Sequence, residues 1–296
     1  MIVNRQFYTM KDGVNLSAIE VLNSEAPKFV VLHLHANSYT NFIYTGYGKS
    51  LSEQGGFIAL LNLRGNGDSE GKKGHVDYIG QLEDDIDQVV LGFKKRFPAT
   101  PIFLSGHSGG AAICLRYVNK YKKQNISGLI LLAPIIQPHS EASRYKVSYS
   151  WLTNIFNNKQ KNKDRLPDDK KNQLPKIFYI RVFLAKIFPF LRNITTLVFP
   201  DMGSDTGGRT YAFSYKTMKN YSIEDYHRTF KELNLPVFMS IGQDDDVTLP
   251  QFIDDMGQRY LADKKETEWH LLDKVNHINV VRKSQKMIAS WLLAVA

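Results

Sequence analysis

The chain has 296 residues, 43% of them hydrophobic and 23% charged, which supplies a sizeable core and excludes a disordered or fibrous protein. Its one cysteine, Cys114, excludes an internal disulfide framework and fits a reducing compartment, so a cytoplasmic location is expected. A net charge of +9 raises nucleic acid as a partner, but there is no zinc-finger spacing or ribonucleoprotein motif, and nucleic-acid binding is not expected.

In chain order, residues 1–21 lack the basic start and continuous apolar core of a signal peptide. They read as a β-hairpin turning at Asp12-Gly13. Short apolar runs follow: FVVLHL (29–34), FIALLNL (57–63), PIFLS (101–105), GLILLAP (128–134), PVFMSI (236–241) and EWHLL (268–272). Runs this short and this apolar predict strands buried on both faces, as in a parallel sheet. Between them, Leu82, Ile86, Val89, Val90, Phe93 and Phe97 fall at helical spacing, as do Val280, Met287, Ile288 and Trp291 within 279–294. Strand and helix in alternation predict a mostly parallel α/β sheet with right-handed crossovers.

Residues 137–231 break the rhythm. No strand pattern stands out there, and the segment reads as an insertion between core segments 1–136 and 232–296. The Asn/Lys-rich run 157–175 is expected to be a mobile surface loop. Residues 157–192 hold ten basic and three acidic residues, a net +7, so most of the charge excess belongs to this one segment. The apolar stretch IFYIRVFLAKIFPFL (177–191) is shorter than the roughly 18 residues of a membrane span and carries Arg181 and Lys186.

The chemistry centres on SGHSGGA (105–111), a Gly-x-Ser-x-Gly motif. In a chain this long such a motif arises by chance with a probability of about 0.1, so its placement must carry the reading. It lies between a predicted strand and a predicted helix, where a sharp turn would strain Ser108 and lift its hydroxyl above the sheet edge. In the elbow Gly106-His107-Ser108-Gly109-Gly110, side chains at Gly106 and Gly110 would collide with the packed strand and helix. A serine hydroxyl needs a base, and the base an orienting acid, both supplied from later strand ends. Asp244, Asp245 and Asp246 follow one strand, and any of the three fits by position. His277 lies in the loop before the last helix, whereas His270 sits inside a strand and reads as structural. His33 and His35 share one face two residues apart, but no third ligand pairs with them, so they are expected to shape the strand end and no metal is expected.

Four stretches, HLHANS (33–38), LNLRGNGDSEG (61–71), SGHSGGA (105–111) and IGQDDDV (241–247), with His277 after them, resemble the α/β-hydrolase superfamily. Within it the chain looks like the monoglyceride lipase and lysophospholipase-like group, also described as serine-aminopeptidase-like hydrolases. The resemblance implies an α/β-hydrolase fold with a helical lid and a triad of Ser108, His277 and Asp245, the acid standing three positions after Gly242. It further implies an oxyanion hole from the backbone N–H groups of Gly109 and Asn37, and no cofactor. The chain departs from the group's pattern at Ala36 (usually Gly), Asn62 (Asp), Gly109 (often Met) and Ala111 (Gly). None of these removes a catalytic group, and Gly109 is expected to leave room beside the nucleophile.

The expected function is hydrolysis of a carboxylic ester with an apolar acyl chain, such as a monoacylglycerol or lysophospholipid. The alternatives are amide, peptide or thioester cleavage or acyl transfer on the same triad, or a non-catalytic ligand-binding fold. An aminopeptidase needs a carboxylate to hold the α-amine, for which Glu224 and Asp225 are the candidates. In the stretch 177–191 the apolar residues are too many for one helix face. Some must face the core, and the others are free to line an acyl pocket or to meet lipid as a peripheral membrane contact, with Lys and Arg reaching headgroups. The simpler alternative is a lid helix packed on the core with its charges solvated.

Overall fold

A computed structural model of the protein describes residues 1–121, 125–136, 175–200 and 208–296. The hairpin is present as β1 (Ile2–Thr9) and β2 (Asn15–Leu22). Strand β3 (Phe29–Leu34), helix α1 (Thr45–Ser52), β4 (Gly56–Leu61), α2 (Gln81–Arg96), β5 (Ile102–His107), α3 (Gly109–Lys120) and β6 (Gly128–Leu132) follow. After the inserted segment come β10 (Val237–Gly242), α7 (Pro250–Tyr260), β11 (Glu268–Leu272) and α8 (Asn279–Val295). Every predicted apolar run thus forms a strand, displaced by no more than two residues at either end.

These strands form one eight-stranded sheet in the order β1-β2-β4-β3-β5-β6-β10-β11. The first two pairs at one edge, β1 with β2 and β2 with β4, are antiparallel, and all others are parallel. Every residue of β3, β4, β5, β6 and β10 is buried. Neighbouring residues along a strand enter opposite layers. Phe29 and Val31 pack with Tyr44, Tyr47 and Leu51 around α1 and with Trp291 of α8. Val30, Leu32 and Leu34 pack with Ile86 and Phe93 of α2 and Ile113 of α3. That two-sided burial is why these strands read as unbroken apolar runs rather than alternating ones.

The chain leaves β3 toward β4 on one side, then crosses back to place β5 on the other. Loops leaving the carboxyl ends of β3 and β5 therefore diverge, which opens a crevice at that point of the sheet edge. Asn37 follows β3 and Ser108 follows β5, so the fold sets them on either side of it.

Between β6 and β10 the expectation of no strands is corrected. A three-stranded antiparallel sheet joins β7 (Lys176–Ile177), β8 (Thr195–Val198) and β9 (Ala212–Ser214). Strands of two to four residues are too short to display a period in sequence. Helices α4 (Tyr179–Ile187), α5 (Tyr215–Asn220) and α6 (Tyr226–Glu232) accompany them. The end of this segment is tied to the loop after β4. Ser214 N–H and Thr217 Oγ1–H both donate to Gly74 O at 2.9 Å, and Thr210 Oγ1–H donates to Gly65 O at 2.7 Å. The Asn/Lys-rich run expected as a loop lies, but for its last residue, outside the described residues. No helix among the described residues is long and apolar enough to cross a membrane.

Candidate active site

Ser108 lies between the end of β5 and the start of α3 with φ 57° and ψ −118°, a strained backbone for a residue with a side chain. The glycines around it follow from crowding. A Cβ on Gly106 would lie 2.4 Å from Gly110 C, and one on Gly110 would lie 2.3 Å from Leu34 O. Strand and helix therefore meet backbone to backbone, and the turn is sharp enough to put the hydroxyl at the sheet edge. Ser108 N–H donates to Leu132 O at 2.8 Å, which ties the elbow to β6.

His277 Nε2 lies 2.9 Å from Ser108 Oγ, and its Nδ1 lies 2.8 Å from Asp245 Oδ2. All three side chains are buried. Of the three consecutive aspartates, Asp245 alone turns inward, while Asp244 and Asp246 are exposed. Its second oxygen, Oδ1, accepts from Val247 N–H at 2.8 Å and Thr248 N–H at 2.7 Å, so the carboxylate is held from both sides. His277 Nδ1–H donates to this carboxylate, which leaves Nε2 as the lone-pair nitrogen facing the serine hydroxyl. This arrangement can take the proton of Ser108 as its oxygen attacks a carbonyl carbon.

The other sequence-selected residues are placed as follows. Gly109 is the first residue of α3, so its N–H is one of the orphan donors at a helix start. Neither it nor Asn37 N–H has an acceptor among the described residues. The room expected beside Gly109 is occupied: the position of a Cβ there is 2.0 Å from Asn37 Oδ1. His33 and His35 are buried and engaged as structural groups. His33 Nδ1 meets Ser105 Oγ at 2.8 Å, while His35 Nδ1–H donates to Ala36 O at 2.8 Å and its Nε2 accepts from Leu63 N–H at 3.1 Å. His270 is half-buried in β11 and pairs with Glu268 at 2.9 Å, away from the triad. Glu224 pairs with Lys219 at 3.1 Å, and Asp225 caps α6 by accepting from Arg228 N–H at 2.9 Å.

Two residues do more than the motif suggested. Tyr44 Oη accepts from Ala36 N–H at 3.0 Å and donates to His107 Nδ1 at 2.8 Å. His107 Nε2–H in turn donates to the backbone carbonyl of His277 at 2.9 Å. One chain of hydrogen bonds thus joins the loop after β3, the serine elbow and the histidine loop. Burial, and secondarily the neighbouring His277, pushes the His107 pKa down to about 3, which keeps this ring neutral and its two nitrogens unlike. Tyr44 carried no signal in the sequence, since it lies in a short 3-10 helix (Asn41–Tyr44) just outside the HLHANS stretch.

The strand order, the crevice and the strained serine elbow define an α/β-hydrolase. A family model described as serine aminopeptidase, S33, matches residues 25–176, just over half of the chain, and the chain belongs to this family. It is 36% identical to the monoglyceride lipase of Rattus norvegicus over 92 residues, 31% of this chain and 30% of that protein. It is 29% identical to the monoglyceride lipase homolog of Monkeypox virus over 111 residues, 37% of this chain and 40% of that one. These matches span less than half the length of either relative. A soluble variant of monoglyceride lipase from Saccharomyces cerevisiae, solved with a substrate analog, superposes over 99% of this chain and 95% of its own with a TM-score of 0.70. At 20% identity that likeness establishes the fold.

Proposed function

We propose that this protein is a serine hydrolase of carboxylic esters carrying an apolar acyl chain, of the monoacylglycerol or lysophospholipid kind. The observation that carries the reading is the continuous line from Ser108 Oγ through His277 to Asp245, at 2.9 and 2.8 Å, on a strained elbow. Ser108 Oγ attacks the carbonyl carbon as His277 takes its proton, and the N–H groups of Gly109 and Asn37 receive the oxyanion. Collapse breaks the ester bond and His277 returns the proton to the leaving alcohol. Water, activated by the same imidazole, then cleaves the acyl-enzyme. Asp245 holds the ring in the required tautomer throughout.

The names of the relatives favour a lipid ester. The amide alternative finds less support, because both candidate carboxylates for an α-amine are committed elsewhere, Glu224 to Lys219 and Asp225 to the start of α6. The described residues 175–200 and 208–231 serve in this reading as a cap over the crevice, and the apolar face of α4 as its contact with lipid.

A fluorophosphonate probe should label Ser108 in the folded protein, and Ser108→Ala should abolish both labelling and turnover. Monoacylglycerols and p-nitrophenyl esters of graded chain length, run beside aminoacyl amides, should show ester cleavage that rises with chain length. Replacing the inward carboxylate, Asp245→Asn, should lower kcat by on the order of 10⁴, whereas Asp244→Asn and Asp246→Asn should leave it unchanged. Absence of labelling in well-folded protein, or turnover of amides alone, overturns the proposal.

A further inference from the structure

We infer that the Asn37 side chain is itself a substrate-contacting group, its carboxamide adding a third donor to the two backbone N–H groups at the carbonyl oxygen. The inference rests on the ester-hydrolase reading above. Its starting point is the residue after the nucleophile. Gly109 has no side chain, and the carboxamide of Asn37 lies in the space one would fill. A Cβ built there would be 2.0 Å from Oδ1, 2.6 Å from Cγ and 2.8 Å from Nδ2. A side chain at Gly109 would force the Asn37 carboxamide out of its present place.

The carboxamide is also chemically idle in the free protein. Asn37 Oδ1 is buried without a hydrogen-bond partner, and so is the neighbouring Ser38 Oγ. Nearby, both nitrogens of His35, the hydroxyl of Tyr44, both nitrogens of His107 and both oxygens of Asp245 have partners, whereas His33 Nε2 is, like Asn37 Oδ1, buried without one. The carboxamide oxygen is thus a buried group beside the nucleophile whose hydrogen-bonding capacity is unused in the free protein. No hydrogen bond fixes the plane of the carboxamide, and its terminal torsion is broad and two-fold, so either end can face the nucleophile. A developing oxyanion repels Oδ1 and attracts Nδ2–H, which selects the donating orientation.

In the proposed step the Ser108 Oγ–carbon bond forms, the carbonyl π pair moves to oxygen, and the proton passes to His277 Nε2. The negative oxygen then accepts from Asn37 N–H, Gly109 N–H and Asn37 Nδ2–H. When the tetrahedral intermediate collapses, the pair returns, the ester C–O bond breaks and the alcohol leaves with the proton from His277. A donor that meets full charge only in the intermediate acts on kcat rather than on substrate binding.

The test uses the full chain with p-nitrophenyl butyrate and a trifluoromethyl ketone that mimics the intermediate. Asn37→Ala keeps both backbone N–H groups and should lower kcat at least tenfold with KM within threefold, while ketone affinity falls in the same ratio as kcat/KM. Asn37→Asp has nearly the same shape but no donor and should lose at least a hundredfold. It keeps the test decisive if the alanine variant fails to fold. Gly109→Ala should impair the enzyme by collision with the carboxamide, and adding Asn37→Ala should restore part of what Gly109→Ala loses. Folded Asn37 variants that retain kcat within threefold overturn the inference and leave the ester reading intact. Additive losses in the double variant overturn it as well. A wild type that neither reacts with a fluorophosphonate nor hydrolyses the ester overturns both.

Discussion

At the scale of single residues, the strongest consequence concerns Tyr44. Its hydroxyl links Ala36 N–H to His107 Nδ1, and through His107 it reaches the carbonyl of His277. Tyr44→Phe keeps the ring in its apolar surroundings but leaves a buried donor and a buried acceptor unpaired, each costing about 1–3 kcal/mol. Thermal unfolding should therefore begin several degrees lower. A packing defect alone would stop there. Because the chain positions three loops of the site, kcat measured well below the new melting temperature should also fall, by about tenfold, with KM little changed. Unchanged kcat in folded Tyr44→Phe would reduce the chain to a structural brace. The contrast with the triad shows what sequence can carry at this scale. Ser108 and His277 were legible because strand-to-helix order and spacing leave them few alternatives. Asp245 was one of three until the turn buried it and exposed Asp244 and Asp246. Tyr44, and the seating of Asn37 against Gly109, depend on distances between loops that no local pattern encodes.

At the scale of elements, α4 is the outlier. Val182 and Ala185 turn toward the core, while Ile180, Phe183 and Ile187 form a second apolar stripe that is 70%, 61% and 51% exposed. Phe190, in the turn that follows, is 77% exposed. Burying four such side chains in an interface releases water from all of them, about 1.5–3 kcal/mol for a side chain of this size when fully covered. Lys176, Lys186 and Arg192 around the stripe would meet anionic headgroups. Phe183→Ser with Phe190→Ser should accordingly weaken sedimentation with phosphatidylglycerol vesicles at least tenfold and slow hydrolysis of vesicle-borne monoacylglycerol. Turnover of a short, soluble ester should be unaffected. Equal loss on the soluble ester would mean that these residues serve the crevice and not the lipid surface. Sequence revealed the surplus of apolar residues here but not their division into two faces. It missed β7, β8 and β9 altogether, since pairing among such short strands is decided by where this segment docks on the loop after β4, not by their own composition.

For the whole molecule, three of the buried histidines, His33, His35 and His107, tie stability to pH. Burial pushes the His107 pKa down to about 3 and that of His35 to about 4. His33 is lowered well below its ordinary range by burial and by the neighbouring His107 and His35. In the unfolded chain each ring titrates near 6.5. Above that value both states hold these rings neutral, and the three contribute no pH dependence. Between about 6.5 and the folded values, the unfolded chain binds protons that the folded chain refuses, so stability falls as pH falls. Each ring contributes about 1.4 kcal/mol per pH unit, and three together about 4 kcal/mol per unit. Against a typical total of about 5–15 kcal/mol, that slope unfolds a domain within two or three pH units. Asp85, raised by burial despite Arg64 beside it, acts in the opposite direction but only toward its own, more acidic range. Denaturant titrations at steps from pH 7 to pH 4.5 should therefore show the unfolding free energy dropping steeply below pH 6.5, with an uptake near pH 5 of about two protons on unfolding from His107 and His35 and a further contribution from His33. An uptake below one proton would mean that water or a local opening reaches these rings in the folded state. The floor of the crevice would then be far looser than the hydrogen-bond chain from Ala36 to His277 implies.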